Sequence, residues 1–139
     1  MAERDTGRAM SQENVEIVRR LLEVTRAEDA SAAVHLLDPD LEWIPLRAAT
    51  EGAYRGIEGY LKFVADTDES FEIFEPHLEL HDAGDRELAW GTIHLRGGGS
   101  GVEIDVPVGG IFDFRDGRII RWQDFGSREA ALDAAGLSE

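Results

Sequence analysis

The sequence predicts an α+β domain in which a cone-shaped, curved antiparallel sheet wraps around an N-terminal helix, with the helices on one face. Apolar residues recur at helical spacing near the N-terminus, and beyond Ser70 the period of the pattern changes to two. Three glycine-containing turn signals then divide the second half of the chain into strands. A chain of 139 residues supplies one hydrophobic core and not two.

Four helices are expected. The first covers 12–27, with Ser11 as its N-cap. A short second helix ends at Asp38, because the residue before a proline is disfavoured in the α region. A third follows Gly56, and the last is capped by Ser127 and closed by Gly136. Residues 1–10 are polar and aperiodic and are expected to be a disordered tail, which leaves 11–139 as the single domain.

A brief strand is expected at 41–44, where apolar residues follow the second helix. Four longer strands are predicted near 71–81, 87–96, 102–115 and 118–125. In the third of these the apolar side chains alternate with charged ones, so one face of the sheet is expected to be buried and the other wetter.

Composition excludes several classes of function. The formal net charge is −15, and no basic cluster exists to bind nucleic acid. The negative field favours neutral or cationic small molecules. The chain has no cysteine, which excludes disulfides and thiolate metal sites and fits the cytoplasm. No apolar run approaches the length of a membrane span, and the opening MAERDTGRAM lacks the apolar stretch of a signal peptide.

Four segments resemble one known group of proteins. They are the opening helix SQENVEIVRRLLE, the join LLDPDLEW, the entry YRGIEGYLKF and the closing run GGIFDFRDGRIIRWQDFGSREAALDAAGL. Together they resemble the nuclear transport factor 2-like (NTF2-like) superfamily over 11–137, and within it the SnoaL-like branch of polyketide cyclases. This resemblance implies the cone fold and a small-molecule cavity. It implies no single reaction, because the superfamily includes isomerases, cyclases, epoxide hydrolases, dehydratases and non-catalytic binding or transport proteins.

The run from Pro107 to Phe125 is also similar to limonene-epoxide hydrolases, through the motif Trp122-Gln123-Asp124-Phe125. Those hydrolases activate water with an Arg-x-Asp pair on the preceding strand, and 87–96 contains none, so epoxide hydrolysis is disfavoured. Similarity to the cyclases implies an acid/base role for Asp124. The base of ketosteroid isomerases corresponds to the region of Trp43, and their oxyanion-hole aspartate to Gly110, so neither role transfers.

Alternation along the last strand places Asp124 on the same face as Ile120 and Trp122, which are expected to point inward. Burial beside an indole disfavours the charged form of a carboxylate, so Asp124 is expected to exchange a proton near neutral pH. The alternative is a structural aspartate at the rim of the cone. His94 would pair with it if Trp90, Thr92 and His94 face inward; the opposite parity places Ala89, Gly91, Ile93 and Leu95 inside.

Aromatic residues are candidates for the wall of a ligand pocket, although each is also a candidate for plain core. They are Trp43, Tyr54, Tyr60, Phe63, Trp90, Phe112 and Trp122. His77, Glu79 and His81 share one strand face, which superficially suggests a metal; solvent or a partner subunit is the stronger interpretation. The glycine loop 97–101 is not a phosphate loop, because neither a lysine nor a helix follows it. No metal or nucleotide cofactor is implied.

These features predict an isomerase- or cyclase-type enzyme that acts without a cofactor on a small apolar carbonyl compound, with Asp124 and His94 as its catalytic residues. The alternative is a non-catalytic ligand-binding or assembly protein of the same fold. A homodimer is also expected, because Ile111, Ile119 and Phe125 would form an apolar group on the outside of the sheet.

Overall fold

The computed structural model describes residues 2–25, 30–46 and 52–137, with side chains from residue 12 onward. The helices are α1 (Ala2–Val24), a 3₁₀ helix (Ala30–Leu36), α2 (Gly56–Ser70) and α3 (Arg128–Ala134). The strands are β1 (Leu37–Ile44), β2 (Tyr54–Arg55), β3 (Phe71–Asp82), β4 (Arg86–Gly97), β5 (Glu103–Arg115) and β6 (Arg118–Phe125). None of the helices in these ranges is both long enough and apolar enough to span a membrane.

All six strands belong to one curved sheet in the order β2-β1-β6-β5-β4-β3. Neighbouring strands are antiparallel except β1 and β6, which are parallel and bring Trp43 opposite Trp122. The last strand therefore lies between the first strand and the meander of β3, β4 and β5. The predicted α+β class with a curved, open sheet is confirmed.

The four long strands and the last helix lie within a few residues of their predicted bounds. Ser127 caps α3 as expected, because its hydroxyl accepts a hydrogen bond of 3.1 Å from the Ala130 amide. The second helix is a 3₁₀ helix, and β1 begins at Leu37 and runs through Pro39. The two-residue strand β2 was not predicted from the sequence.

Helix α1 begins at Ala2, nine residues before the predicted N-cap at Ser11, and ends at Val24, before the predicted end at residue 27. The backbone of 2–10, expected to be a loose tail, is therefore part of this helix. The sequence pattern placed the start too late because the early residues carry no apolar periodicity, which is the signal that such a prediction depends on.

Two adjacent glycines define the two faces of the sheet. A β-carbon on Gly110 would lie 3.5 Å from Oδ1 of Asp124, whereas one on Gly109 would lie 2.9 Å from the Ala131 β-carbon in α3. We call the face of Gly110 the inner face and that of Gly109 the outer face. Helices α1 and α2 pack on the inner side, where the core lies, and α3 packs on the outer face. The helices are therefore divided between the two faces, and the expectation that all of them lie on one face is wrong.

The apolar group on which the expected dimer was based is largely covered by the chain itself. Ile111 and Ile119 are both buried, and Phe125 is half-buried. Ile119 belongs to the main core, and Ile111 lies on the outer face of β5, the strand against which α3 packs. The expectation that a monomer would expose these side chains is wrong. The large apolar side chains exposed in the described residues are Leu46, Leu61, Val102, Ile104 and Leu137.

Candidate functional site

An interior cavity of about 40 Å³ lies between the inner face of the sheet, α1 and α2. It is lined by Leu22, Thr25, Trp43, Phe63, Phe74, Pro76, Leu78, Ala89, Ile93, Val108, Gly109, Gly110, Phe112, Trp122 and Asp124. Asp124 is the one ionisable side chain among these lining residues. We call this space the inner cavity. It has room for a few non-hydrogen atoms, because a single water needs roughly 10–15 Å³ by the same measure.

Asp124 occupies the position that the strand alternation predicted, half-buried on the inner face of β6. The indole nitrogen of Trp122 donates a hydrogen bond of 2.9 Å to Oδ1 of Asp124. Residues two apart on a strand point to the same face, so β6 itself holds the ring and the carboxylate together. The absence of a side chain at Gly110 leaves space directly beside this carboxylate.

Four aromatic rings build the wall next to Asp124. Trp43 stacks on Trp122 with the ring centroids 4.0 Å apart and the planes within 5° of parallel. Phe63 packs on Trp43, and Phe112 packs on Trp122. Trp43 is 2% exposed, and its indole nitrogen has no hydrogen-bond acceptor among the residues that the structure describes. An indole N–H can only donate, so this wall contains one unused donor.

His94 does not join Asp124. Its side chain is on the outer face, where Nδ1 lies 2.7 Å from Oδ1 of Asp105 and Nε2 lies 2.9 Å from Oε1 of Glu103. These hydrogen bonds raise the pKa of His94 above its usual value, and the bond with Asp105 contributes most to the shift. The alternative parity of β4 is the one observed, because Ala89 and Ile93 line the inner cavity. The predicted pairing of His94 with Asp124 is therefore wrong.

Trp90 shares the parity of His94 and lies on the outer face as well. Its ring stacks on His81 with a centroid distance of 3.7 Å, and the Arg128 guanidinium lies 4.7 Å from the ring centroid on the outer side. Trp90 is therefore not a lining residue of the inner cavity, contrary to the sequence-based expectation. The arrangement ties α3 to the sheet through a cation–π contact.

The two tyrosines lie beside the cavity and do not line it. Tyr60 is fully buried, stacks on Trp43 and forms a hydrogen bond of 3.2 Å with the Thr25 hydroxyl. Burial raises the pKa of Tyr60 above its usual value. Tyr54 is half-buried and donates to Asp66 at 2.9 Å. Of the candidate pocket residues, the structure brings Trp43, Phe63, Phe112 and Trp122 together with Asp124.

A second buried carboxylate, Glu87, was not singled out from the sequence. It is 0% exposed on β4 opposite Asp82, and neither of its carboxylate oxygens has a geometrically acceptable hydrogen bond to the described residues. Burial, together with the neighbouring Asp82, raises the pKa of Glu87 to about 8. A single acidic residue in a strand pattern does not by itself indicate burial. Only the fact that Glu87 shares a face with Ala89 could have indicated that its side chain is buried.

The histidines of β3 face away from the cavity. His77 and His81 lie on the outer face with Glu75 and Glu79, and each imidazole is within 4 Å of a carboxylate. Among the side chains that the structure describes, within 12–25, 30–46 and 52–137, no group of three or more histidine, cysteine or acidic residues has the arrangement of a metal site.

Comparison with known families identifies one match. Residues 18–122, which include β6 as far as Trp122, match the family model described as a SnoaL-like domain. The match covers well over half of the chain. No protein with a curated description matches significantly.

Solved structures share the fold. An NTF2-like protein of unknown function from Burkholderia pseudomallei is 17% identical, with a TM-score of 0.73 over 87% of this chain and 95% of that chain. A protein from Jannaschia sp. named as a SnoaL-like polyketide cyclase is 24% identical, with a TM-score of 0.71 over 92% and 94%. A protein with a ketosteroid isomerase-like fold from Catenulispora acidiphila, in complex with trimethylamine, is 22% identical, with a TM-score of 0.70 over 88% and 93%. At these identities the likeness concerns the fold alone.

Proposed function

Because the chain belongs to the SnoaL-like domain family, we propose that it binds a small, mostly apolar carbonyl compound with its reacting end in the inner cavity, and that Asp124 transfers a proton on this end. Such a reaction is an isomerisation or an aldol-type cyclisation. The observation that carries the proposal is the carboxylate of Asp124 in a cavity whose other lining side chains, apart from Thr25, are apolar or aromatic. General acid/base catalysis requires a proton acceptor that is held within reach of the substrate and shielded from bulk water.

Each group of the cavity has a role in this scheme. Asp124 removes a proton from the carbon next to the substrate carbonyl and returns it at another position. The bond from Trp122 to Oδ1 fixes the orientation of the carboxylate. The free indole N–H of Trp43 supplies a donor for the carbonyl oxygen as negative charge develops there.

Solvent exchange of carbon-bound hydrogen provides the test. The protein is incubated in D₂O with a panel of ketones that runs from acetone to cyclic aryl ketones, and loss of the α-proton signal is followed by NMR. We expect Asp124→Asn to lower the exchange rate by about 10²–10⁴-fold, the usual contribution of a general base. His94→Gln, on the outer face, is the control and should retain the wild-type rate. Equal rates for wild type and Asp124→Asn would contradict the proposal.

The second candidate function is ligand binding without catalysis. It is favoured by the small volume of the inner cavity and by the engagement of Asp124 with Trp122, which are compatible with a carboxylate that only anchors a ligand. Ketones that bind to the wild type and undergo no exchange, with weaker binding to Asp124→Asn, would establish this alternative.

A homodimer remains a proposal, formed through the outer face of β3, β4 and β5. That face carries histidines and Arg96 interleaved with carboxylates, and such a mixture of charges is self-complementary across a two-fold axis. A monomeric mass in sedimentation experiments at micromolar concentration would contradict it.

We also assign the protein to the cytoplasm, since a chain without cysteine has no need of an oxidising compartment.

A further inference from the structure

A second cavity, of about 210 Å³, lies next to the inner cavity, between α2 and the first residues of β3. We call it the outer cavity because it lies at β3, the edge strand of the sheet; it is on the same side of the sheet as the inner cavity and not on the outer face. Three residues, Thr25, Phe63 and Phe74, line both spaces. The two cavities therefore meet at these three side chains, and a molecule too large for the inner cavity has an adjoining space to extend into.

The wall between the cavities consists partly of one aromatic pair. The rings of Phe63 and Phe74 make an edge-to-face contact with a centroid distance of 6.5 Å and an interplanar angle of 75°. Phe74 is half-buried on β3, whereas Phe63 is held against Trp43. A different rotamer of the Phe74 side chain would alter this wall with no change in the backbone of the sheet.

The polar groups of the outer cavity have one sign of charge. Asp68 and Glu72 contribute carboxylates, the side chain of Glu75 lies on the outer face beside His77, and the described lining contains neither lysine nor arginine. Arg96, outside the lining, lies 3.3 Å from Glu72. A formal net charge of −15 extends the same negative field over the whole chain. An anion entering here is repelled, and a hydrogen-bond donor or a cation is attracted.

A buried hydroxyl supplies a further polar feature of the lining. Thr67 is 7% exposed on α2, and its hydroxyl has no hydrogen-bond partner in the described part of the chain. Buried hydroxyl groups in proteins are nearly always paired, so an unpaired one in the lining of a cavity indicates a place where a ligand can supply the partner. A hydroxyl both donates and accepts, and therefore suits an alcohol or an amine equally.

We propose that the outer cavity recognises the polar end of the ligand, and that this ligand carries a hydroxyl or a protonated amino group on an apolar body and no carboxylate or phosphate. The apolar part then extends past Phe63 and Phe74 towards Asp124. The inference rests on the proposed function only for the reaction at that inner end. The choice of polar group depends on the outer cavity alone.

Three probes with one apolar body test the proposal: naphthylethylamine, naphthylethanol and naphthylacetate. Their affinities for the full chain are measured by isothermal titration calorimetry at fixed ionic strength. We expect the amine to bind most tightly and the carboxylate most weakly, with about a tenfold difference between them, since closely spaced charges near a protein surface are only partly screened. Tightest binding of the carboxylate, or no binding of any probe, would overturn the proposal.

Variants separate the outer cavity from the overall charge. Asp68→Asn with Glu72→Gln should reduce the preference for the amine severalfold. Asp85→Asn with Asp116→Asn removes the same charge at hairpin turns beyond the opposite end of β3 and should leave the preference intact. Thr67→Val should weaken the alcohol and the amine severalfold and spare the carboxylate. Identical preferences in both double variants, or an inert Thr67→Val, would overturn the proposal.

The two proposals fail in different ways. If Asp124→Asn leaves hydrogen exchange unchanged while the variants of the outer cavity alter the probe preference, the catalytic proposal is wrong and the recognition proposal stands. If exchange depends on Asp124 and the probe preference is unchanged by the substitutions at Asp68, Glu72 and Thr67, the recognition proposal is wrong.

Discussion

Trp122 and Asp124 lie two residues apart on β6 and are joined by a hydrogen bond of 2.9 Å from the indole nitrogen to Oδ1. Trp122→Phe keeps an aromatic ring and removes this donor, so the carboxylate loses one of the groups that orient it. We expect a loss of about 1–3 kcal/mol in the free energy of unfolding, typical of a hydrogen bond to a carboxylate, measured by urea denaturation. The exchange rate should also fall, by less than in Asp124→Asn. Trp90→Phe on the outer face is the matched control and should leave exchange unaffected.

The raised pKa of the buried Glu87 carboxyl predicts an unusual dependence of the free energy of unfolding on pH. The unfolded chain loses this proton near pH 4.5, whereas the folded protein retains it to about pH 8. The folded state binds more protons in this interval, so the contribution of Glu87 to the free energy of unfolding decreases as pH rises, by up to about 1.4 kcal/mol per pH unit. Glu87→Gln should remove this slope and be more stable than the wild type above pH 8. Parallel stability curves for the two proteins from pH 5 to about 8 would contradict the assignment.

The ion pair between Asp38 and Arg115 predicts sensitivity to acid. Arg115 donates to both carboxylate oxygens of Asp38, at 2.7 and 3.0 Å, and joins β1 to the end of β5. These bonds, and a further one from the Asp40 amide, hold the pKa of Asp38 below its usual value. The stabilisation is therefore present above about pH 4 and is lost as the carboxylate is protonated. Asp38→Asn should lower Tm at pH 7, and the difference from wild type should shrink in acid. A constant difference would exclude this mechanism.

Gly91 is required where β3 and β4 approach closely. Its φ is +156°, and a β-carbon there would lie 2.1 Å from the carbonyl oxygen of His77. Gly91→Ala should cost about 2 kcal/mol or more, because neither the conformation nor the space suits a side chain. Gly99→Ala, at a hairpin tip with open space around it, is the control and should be nearly neutral. Equal thermal stability of the two variants would contradict the role assigned to Gly91.

Local patterns were sufficient to predict most of the elements. The turn at Asp116-Gly117 was read correctly, since both residues have positive φ, and so was the cap at Ser127. The position of Asp124 also followed from alternation, because Trp122 provided an apolar neighbour of the same parity. These features depend on residues close together in the sequence.

The predictions from sequence were wrong where both faces of a strand carry similar residues, or where a side chain packs against a segment far away in the sequence. In β4 both parities carry plausible residues, and the choice between His94 and Ile93 is made by packing against α1 on one face and α3 on the other. The burial of Ile111 depends on the outer-face packing at the far end of the chain, and that of Ile119 on the core. The pairing of β1 with β6 joins segments that no local signal relates.

The parallel pairing of β1 and β6 has a consequence for the order in which the protein acquires its site during synthesis. The partners Trp43 and Trp122 are made far apart in time, and the ring stack beside Asp124 needs both. A nascent chain that already contains β3, β4 and β5 can form hairpins, yet it still presents Trp43 without its partner. The chamber for the ligand consequently comes into being only when the final strand inserts beside the first, so binding competence and completion of folding are one event.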